Sequence, residues 1–216
     1  MLSGATEIFR CPLCHNYISR GTISSGNTFG AVYYSDGKQV APMLPEIIQI
    51  TKCRNCGNIF WITDENIIDT IQSWEINSKY TDIQKADFLN VDDYIVALHL
   101  NLFDSEEQEF FLRLRLWWEF NNSNRYNKSQ SNSDKIIWRN KREKKYWKEN
   151  ILRLIELFDK NSDDKKLIVA ELYRNLGEFE KSIELLNEVV NTDYDWVVNT
   201  MEEECKKKNT RVIQLN

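Results

Sequence analysis

An α+β fold is predicted: a small β module at the front, followed by a larger all-α region of antiparallel helical hairpins. Three observations predict it. Cys11-Pro12-Leu13-Cys14 and Cys53-Arg54-Asn55-Cys56 form two Cys-x-x-Cys pairs inside a stretch punctuated by glycine and proline. Beyond that stretch, apolar residues recur at three- and four-residue steps, the period of an amphipathic helix. The whole chain of 216 residues has only seven Gly and three Pro, which disfavours a loop-rich or all-β protein. Hydrophobic residues make up 42%, including seven Trp and ten Phe, so a core of useful size can form.

Residues 8–62 read as strands and turns. Cys11-Pro12-Leu13-Cys14 is a tight turn, and Gly21, Gly26 and Gly30 break the stretch after it. Phe29 to Tyr34 reads as a strand, and Ser35-Asp36-Gly37-Lys38 is a hairpin turn signal. Pro42 and Pro45 mark an irregular loop. Ile47 to Thr51 leads as a strand into the second cysteine turn, and Ile59 to Ile62 leads out of it. Gly57 follows Cys56, where a residue without a Cβ lets backbone amides turn toward the sulfurs.

From residue 64 the expected pattern is helical, giving domains at 1–63 and 64–216. Thr81-Asp82-Ile83-Gln84 and Ser105-Glu106-Glu107-Gln108 both fit a capping box. Tyr94 to Phe103 is expected to pair with the second of these helices as its antiparallel partner. That helix is expected to run to about Asn121, with a stripe of Phe110, Phe111, Leu114, Trp117 and Trp118, joined by Phe120. The polar, biased segment 121–134 reads as a loop or linker. A helix from about Asp134 to Phe158 follows, with Trp147, Ile151, Leu154, Ile155 and Phe158 on one face. Ser162 is expected to cap the next helix and Gly177 to end it, since glycine tolerates the left-handed backbone of a helix stop. Phe179, Ile183, Leu186, Val189 and Val190 mark the next helix, and Asp195 to Lys208 the last. Three Glu–Lys pairs (202–206, 203–207, 204–208) support that last helix at i,i+4 spacing.

The four cysteines carry the clearest chemistry. Each pair presents two thiolates on one turn, and two such turns make a tetrahedral sulfur shell suited to Zn²⁺. Cys11, Cys14, Cys53 and Cys56 are therefore the expected ligands of a structural zinc, which suits the site better than iron. A filled shell leaves no position for water or substrate. The fifth thiol, Cys205, is left over, and an odd count with this spacing fits metal binding in a reducing compartment better than a disulfide framework. His15 reads as a polar residue at a turn tip, and His99 as a satisfied histidine on a half-buried helix. With only these two histidines and no nucleophile or phosphate-loop motif, a catalytic site has little to work with, and a non-enzymatic protein is expected.

The front segment, through Cys11-Pro12-x-Cys14 and Cys53-x-x-Cys56-Gly57 with Phe60-Trp61 after it, resembles the zinc-ribbon and rubredoxin-like group. The thirty-eight residues between the pairs exceed the usual ribbon spacing. Lys166 to Tyr194 resembles one tetratricopeptide hairpin, with Ala170, Tyr173, Gly177, Phe179, Ser182, Leu186 and Val189 at the small, aromatic, turn and apolar positions of that repeat. Such a hairpin at 163–192 implies a surface for a protein or peptide partner. One repeat cannot bury its own face, so neighbouring helices must complete the core. The whole layout resembles that of uncharacterised bacterial proteins.

Charge gives the rival reading. The net charge is −5, which predicts no global attraction to nucleic acid or acidic lipid. Residues 123–150, however, carry nine Lys/Arg against three Asp/Glu, whereas residues 151–216 carry ten against fourteen. Arg139, Lys141, Arg142, Lys144, Lys145 and Lys148 on a basic helix at 138–148, interleaved with aromatics from Trp138 to Trp147, are the residues that would contact nucleic acid together with the tip of the zinc ribbon. The bland alternative is a solvated basic face on a helix whose Trp147 belongs to the core. The N-terminus lacks a secretory pattern and the longest apolar stretch is too short to span a bilayer, so a cytoplasmic protein without membrane contact is expected.

Overall fold

The structure is a computed structural model that describes residues 1–72, 80, 83–126 and 138–215. In chain order the strands are β1 (Leu2–Arg10), β2 (Tyr17–Ser25), β3 (Val32–Tyr34), β4 (Gln39–Val40), β5 (Ile50–Lys52), β6 (Ile59–Trp61), β7 (Ile67–Ile71), β8 (Gln84–Lys85) and β9 (Gln214–Leu215). The helices are α1 (Val91–His99), α2 (Glu106–Tyr126), α3 (Lys141–Leu157), α4 (Asp163–Leu176), α5 (Phe179–Asn187) and α6 (Asp195–Lys206). The architecture is mixed, with a β-rich N-terminal region and an α-helical C-terminal region. The chain divides into two compact units: residues 1–31 with 40–102, and residues 32–39 with 103–216. No described helix is long and apolar enough to cross a membrane.

The front unit is built on a sheet of order β7-β1-β2-β8. β1 and β2 are antiparallel with Phe9 opposite Ile18 and Glu7 opposite Arg20. The latter pair is an ion pair at 2.5 Å. β5 and β6 form a second hairpin, with Thr51 opposite Phe60. Phe9, Ile18, Phe60 and Ala86 are buried together with Cys11 and Cys53. Phe9 and Phe60 meet edge to face, with ring centroids 6.1 Å apart. Each of these large side chains contributes on the order of 1.5–3 kcal/mol by leaving water.

Among the described residues, the expected helical pattern gives a single 3₁₀ turn at Asp64–Asn66 and its first α-helix at Val91. Ile67–Ile71 is a strand paired with β1, its alternating burial fitting a sheet edge better than a helix face. Of the capping box at 81–84, Thr81 and Asp82 lie outside the described residues, and Gln84 sits on β8, parallel to β2. Tyr94 to Phe103 is helical only to His99, and Asn101 takes a positive φ of 51° just beyond. His99 is exposed in the last turn of α1 instead of half-buried.

The helical unit packs α2 on α3, α3 on α4, α4 on α5, and α5 on α6. α2 is capped by Ser105 Oγ, which accepts from Gln108 N at 3.3 Å, while Gln108 reaches back to Asp104 N at 2.8 Å. The helix continues through Tyr126, beyond the expected end at Asn121. Residues 121–126 of the expected loop are thus helical, and 127–134 lie outside the described residues. The fully buried stripe of α2 is Leu112, Leu116, Trp117 and Phe120, rotated from the expected one; Phe110, Phe111, Leu114 and Trp118 are only partly buried. The rotation follows from polar residues, because Glu109, Arg115, Asn121 and Arg125 are buried too, two of them around Asp36. α3 buries the expected Trp147, Ile151, Leu154 and Ile155. Residues 134–137 of that expected helix lie outside the described ones.

Ser162 stands at the start of α4 but makes no cap, and its buried hydroxyl has no partner among the described residues. Asp163 does the joining work instead, accepting from Val190 N at 3.0 Å and Asn191 N at 2.8 Å. Those amides hold its carboxyl below the usual range. Gly177 ends α4 in the left-handed region, as expected. Val190 is 83% exposed, so it does not belong to the buried face. Cys205 is buried, its sulfur 3.5 Å from Ser182 Oγ, and burial pushes the thiol up.

The turn at 35–38 closes as expected, Tyr34 N bonding Lys38 O at 3.0 Å. Its destination was not foreseen. β3 pairs with β9, and the turn enters the core of the helical unit. Asp36 receives both terminal nitrogens of Arg125, at 2.6 and 3.2 Å, and the Asn121 amide at 2.9 Å. Ser35 donates to Glu171 at 2.8 Å, and Glu171 is forked by Arg174 at 2.6 and 2.7 Å. Arg174 also caps the carbonyls of Asn209 and Arg211. All four charged side chains are inaccessible to solvent.

Candidate metal centre

Two cysteine turns of the front unit have the same backbone design. In the first, between β1 and β2, Cys11 N bonds Asn16 O at 3.0 Å and His15 N bonds Cys11 O at 2.9 Å. In the second, between β5 and β6, Cys53 N bonds Asn58 O at 2.8 Å and Gly57 N bonds Cys53 O at 2.8 Å. The fifth residue of each turn is left-handed: His15 at φ 60° and Gly57 at φ 76°. His15 is thus a turn-forming residue, exposed at the tip.

β8 brings the second hairpin to the main sheet. Its backbone pairs with β2, while the Gln84 side chain accepts from Arg54 N at 2.8 Å and donates to Lys52 O at 2.9 Å. Asp87 continues the clamp through Thr51, whose hydroxyl donates to Asp87 O at 2.9 Å. Arg54 pairs with Asp87 in addition.

The result is a cluster of four sulfurs. Cys11 Sγ lies 3.6 Å from Cys56 Sγ, and Cys14 Sγ lies 3.6 Å from Cys53 Sγ. All four sulfurs fall within 4.8 Å of one another, and no other such group of potential ligands occurs among the described residues. Zn–S bonds of about 2.3 Å in a tetrahedron would set the sulfurs about 3.8 Å apart. The cluster therefore fits a single tetrahedral cation of the thiophilic class, zinc or iron alike. Cys11 and Cys53 are buried, Cys14 partly so, and Cys56 is exposed.

The electrostatics of the thiols point the same way. Hydrogen bonds from Asn55 and from the Asn16 backbone pull Cys14 down to about 6. Burial pushes Cys53 up. At Cys56 the Asn58 amide lowers the thiol, but desolvation and the sulfurs of Cys14, Cys11 and Cys53 outweigh it and raise it to about 12. The Cys14 thiolate is thus favoured at the expense of Cys53 and Cys56. A bound cation reverses that balance and deprotonates its ligands. Asn58 Nδ2 adds a weak contact to Cys11 Sγ at 3.9 Å.

All four expected metal residues are brought together. The supporting residues Gln84, Asn55 and Asn58 were not anticipated, although an asparagine one or two places from a metal cysteine is a signal that could have found two of them. The six basic residues proposed for nucleic acid lie on or next to α3. Arg139 is tied to Glu143 at 2.6 Å, Arg142 stacks over Tyr146, Lys144 over Trp138, and Lys145 pairs with Glu149 at 3.7 Å. Lys141 and Lys148 are exposed. Trp147 is buried, with Trp138 packed on it at 5.0 Å.

No protein-family model matches the chain, and neither a curated protein nor a solved structure matches it.

Proposed function

We propose that this chain is a non-enzymatic zinc-binding adaptor: a zinc-ribbon-like front module joined to tetratricopeptide-like helices that engage a protein or peptide partner. The observation that carries the reading is the closed four-sulfur cluster. Four protein ligands complete the shell of a structural zinc and leave no site for a reactant. The α4–α5 hairpin turning at Gly177, stacked on α3 and α6, supports the tetratricopeptide-like part. Exposed Val190 and Leu152 supply apolar contact points on that unit.

The test is metal analysis of the purified chain combined with crosslinked capture from the source cells. One zinc per chain is expected, together with a captured protein that is lost in V190E or L152E while zinc content is unchanged. A chain holding iron, or one capturing nothing above a tag-only control, overturns the corresponding half of the reading.

A nucleic-acid-binding accessory role is the second reading. Five exposed cations, Lys141, Arg142, Lys144, Lys145 and Lys148, support it. The buried Trp147 and its partner Trp138 weigh against stacking on bases. Binding to DNA or RNA that falls steeply with salt, and falls further on replacing Lys141, Arg142, Lys144 and Lys145, would favour it.

A further inference from the structure

The helical unit contains a cavity of about 480 Å³. Such a volume is typical of small-molecule sites, which span roughly 300–1,000 Å³. Leu167, Ile168, Val197 and Met201 give it apolar walls. Tyr33, Tyr194 and Trp196 add aromatic rings, and no described cation stacks on any of the three. A fourth ring, Tyr34, already has Arg125 over it at 4.3 Å. The cavity approaches the backbone at Gly37, where an added Cβ would stand 2.6 Å from Ile168 Cδ1.

The formal charge on the described lining of this cavity is negative. Among the described residues, Asp164 is the only formally charged one that lines it, and no Lys or Arg does. Asp164 is exposed in the first turn of α4 and pairs with no cation among the described residues. Two further exposed carboxylates, Asp193 and Asp195, flank Tyr194 in sequence. Apolar walls need an apolar body, the π faces of three aromatic rings attract a cation, and the carboxylate adds charge of matching sign.

We propose that this cavity binds a small amphipathic cation, an alkyl or aryl body ending in an ammonium group. The proposal does not depend on the adaptor reading, since it concerns a different site and a different class of ligand.

The test uses three probes with one tail, octyltrimethylammonium, 1-octanol and octanoate, titrated into the full zinc-loaded chain by calorimetry and by NMR. The ammonium is expected to bind at least about threefold tighter than the alcohol and about tenfold tighter than the carboxylate. Asp164→Asn should narrow the gap between ammonium and octanoate by about threefold without changing the alcohol, leaving the smaller ammonium preference that the rings supply. Trp196→Ala should weaken the ammonium more than the alcohol. Ile168→Phe, which fills the cavity, should weaken all three by about tenfold. Because Asp164 and Trp196 are exposed, their variants keep the fold, and helicity by circular dichroism verifies this. Octanoate binding as tightly as the ammonium overturns the proposal, as does a failure of all three probes to bind the folded chain, or binding untouched by Ile168→Phe.

Discussion

The two units solve the same problem, holding short elements in place, by opposite means. The front unit gathers four like groups, thiols, which repel one another once ionised and are reconciled only by a cation. The helical unit gathers opposite charges, Asp36 with Arg125 and Glu171 with Arg174, which satisfy each other without a metal. The difference teaches where each unit is vulnerable. Removing a metal ligand should undo the first unit alone, and removing a buried charge should undo the second alone.

The largest expected effect breaks the front unit. Structural zinc contributes on the order of 10–16 kcal/mol in small peptides. Cys53→Ser, or a strong chelator, should therefore release the metal and unfold the sheet around Phe9, Ile18 and Phe60. The helices should persist. Metal content with residue-resolved NMR checks this, and collapse of both units together would show that the helices do not hold their fold without the metal.

Next comes the converse. Arg174→Met leaves Glu171 buried with its main counter-charge gone and abandons two carbonyls of the C-terminal segment. Breaking a buried pair costs about 3–5 kcal/mol. Denaturant unfolding followed by helicity should show that loss with metal content unchanged. Replacing Glu171 by Met as well should recover much of it, because two apolar side chains need no partner.

The contrast also explains what could be read from the chain. The metal residues were legible because Cys-x-x-Cys is local: one turn fixes two ligands. The helix stop at Gly177 and the stripe of α3 were legible for the same reason. What brings the turns together was not, because Gln84 acts through a side chain bonded to backbone thirty residues away. The helix pattern expected from residue 64 failed at Ile67–Ile71, where non-local pairing decides, because that segment takes its structure from β1. The burial of Asp36 and Ser35 was hidden in the same way. Asp-Gly reads as a surface turn, and only the distant Arg125, Glu171 and Arg174 make burial affordable. The end of α2 was misjudged because Asn121 and Arg125, polar residues, face inward to that turn.

A smaller effect, within the helical unit, is read by pH. Arg153 donates two hydrogen bonds to Glu109, and together with Arg113 it holds that carboxyl below the ordinary range despite burial. A folded value below the unfolded one stabilises fully above about pH 4.3 and is lost as the pH falls through the folded value. Glu171 runs the other way. Burial raises it, so its contribution is greatest in acid and is lost as pH rises through its folded value. Glu109→Gln should cost about 1.5–3 kcal/mol near neutrality, the range for a hydrogen bond to a charged group. The gap from the parent should close as the solution is acidified. Thermal unfolding at 222 nm between pH 3 and 7 reads this from the helices, and a gap that stays constant with pH would mean that Glu109 acts through packing alone.

The finest comparison lies inside the front unit, between its two cysteine turns. Their hydrogen bonds match, and both need a left-handed fifth residue, yet one uses glycine and the other histidine. For a residue with a Cβ that conformation costs about 1–2 kcal/mol. No heavy atom of the described structure lies near a Cβ added at Gly57, so the cost of Gly57→Ala would be conformational and not steric. It should destabilise the metal-loaded front unit by about 1–2 kcal/mol. His15→Gly should do the reverse, with a smaller gain because glycine also frees the unfolded chain. Zinc-competition titrations on the full chain would measure both. If His15→Gly instead weakened the metal, the imidazole would have a part in the site beyond shaping its turn.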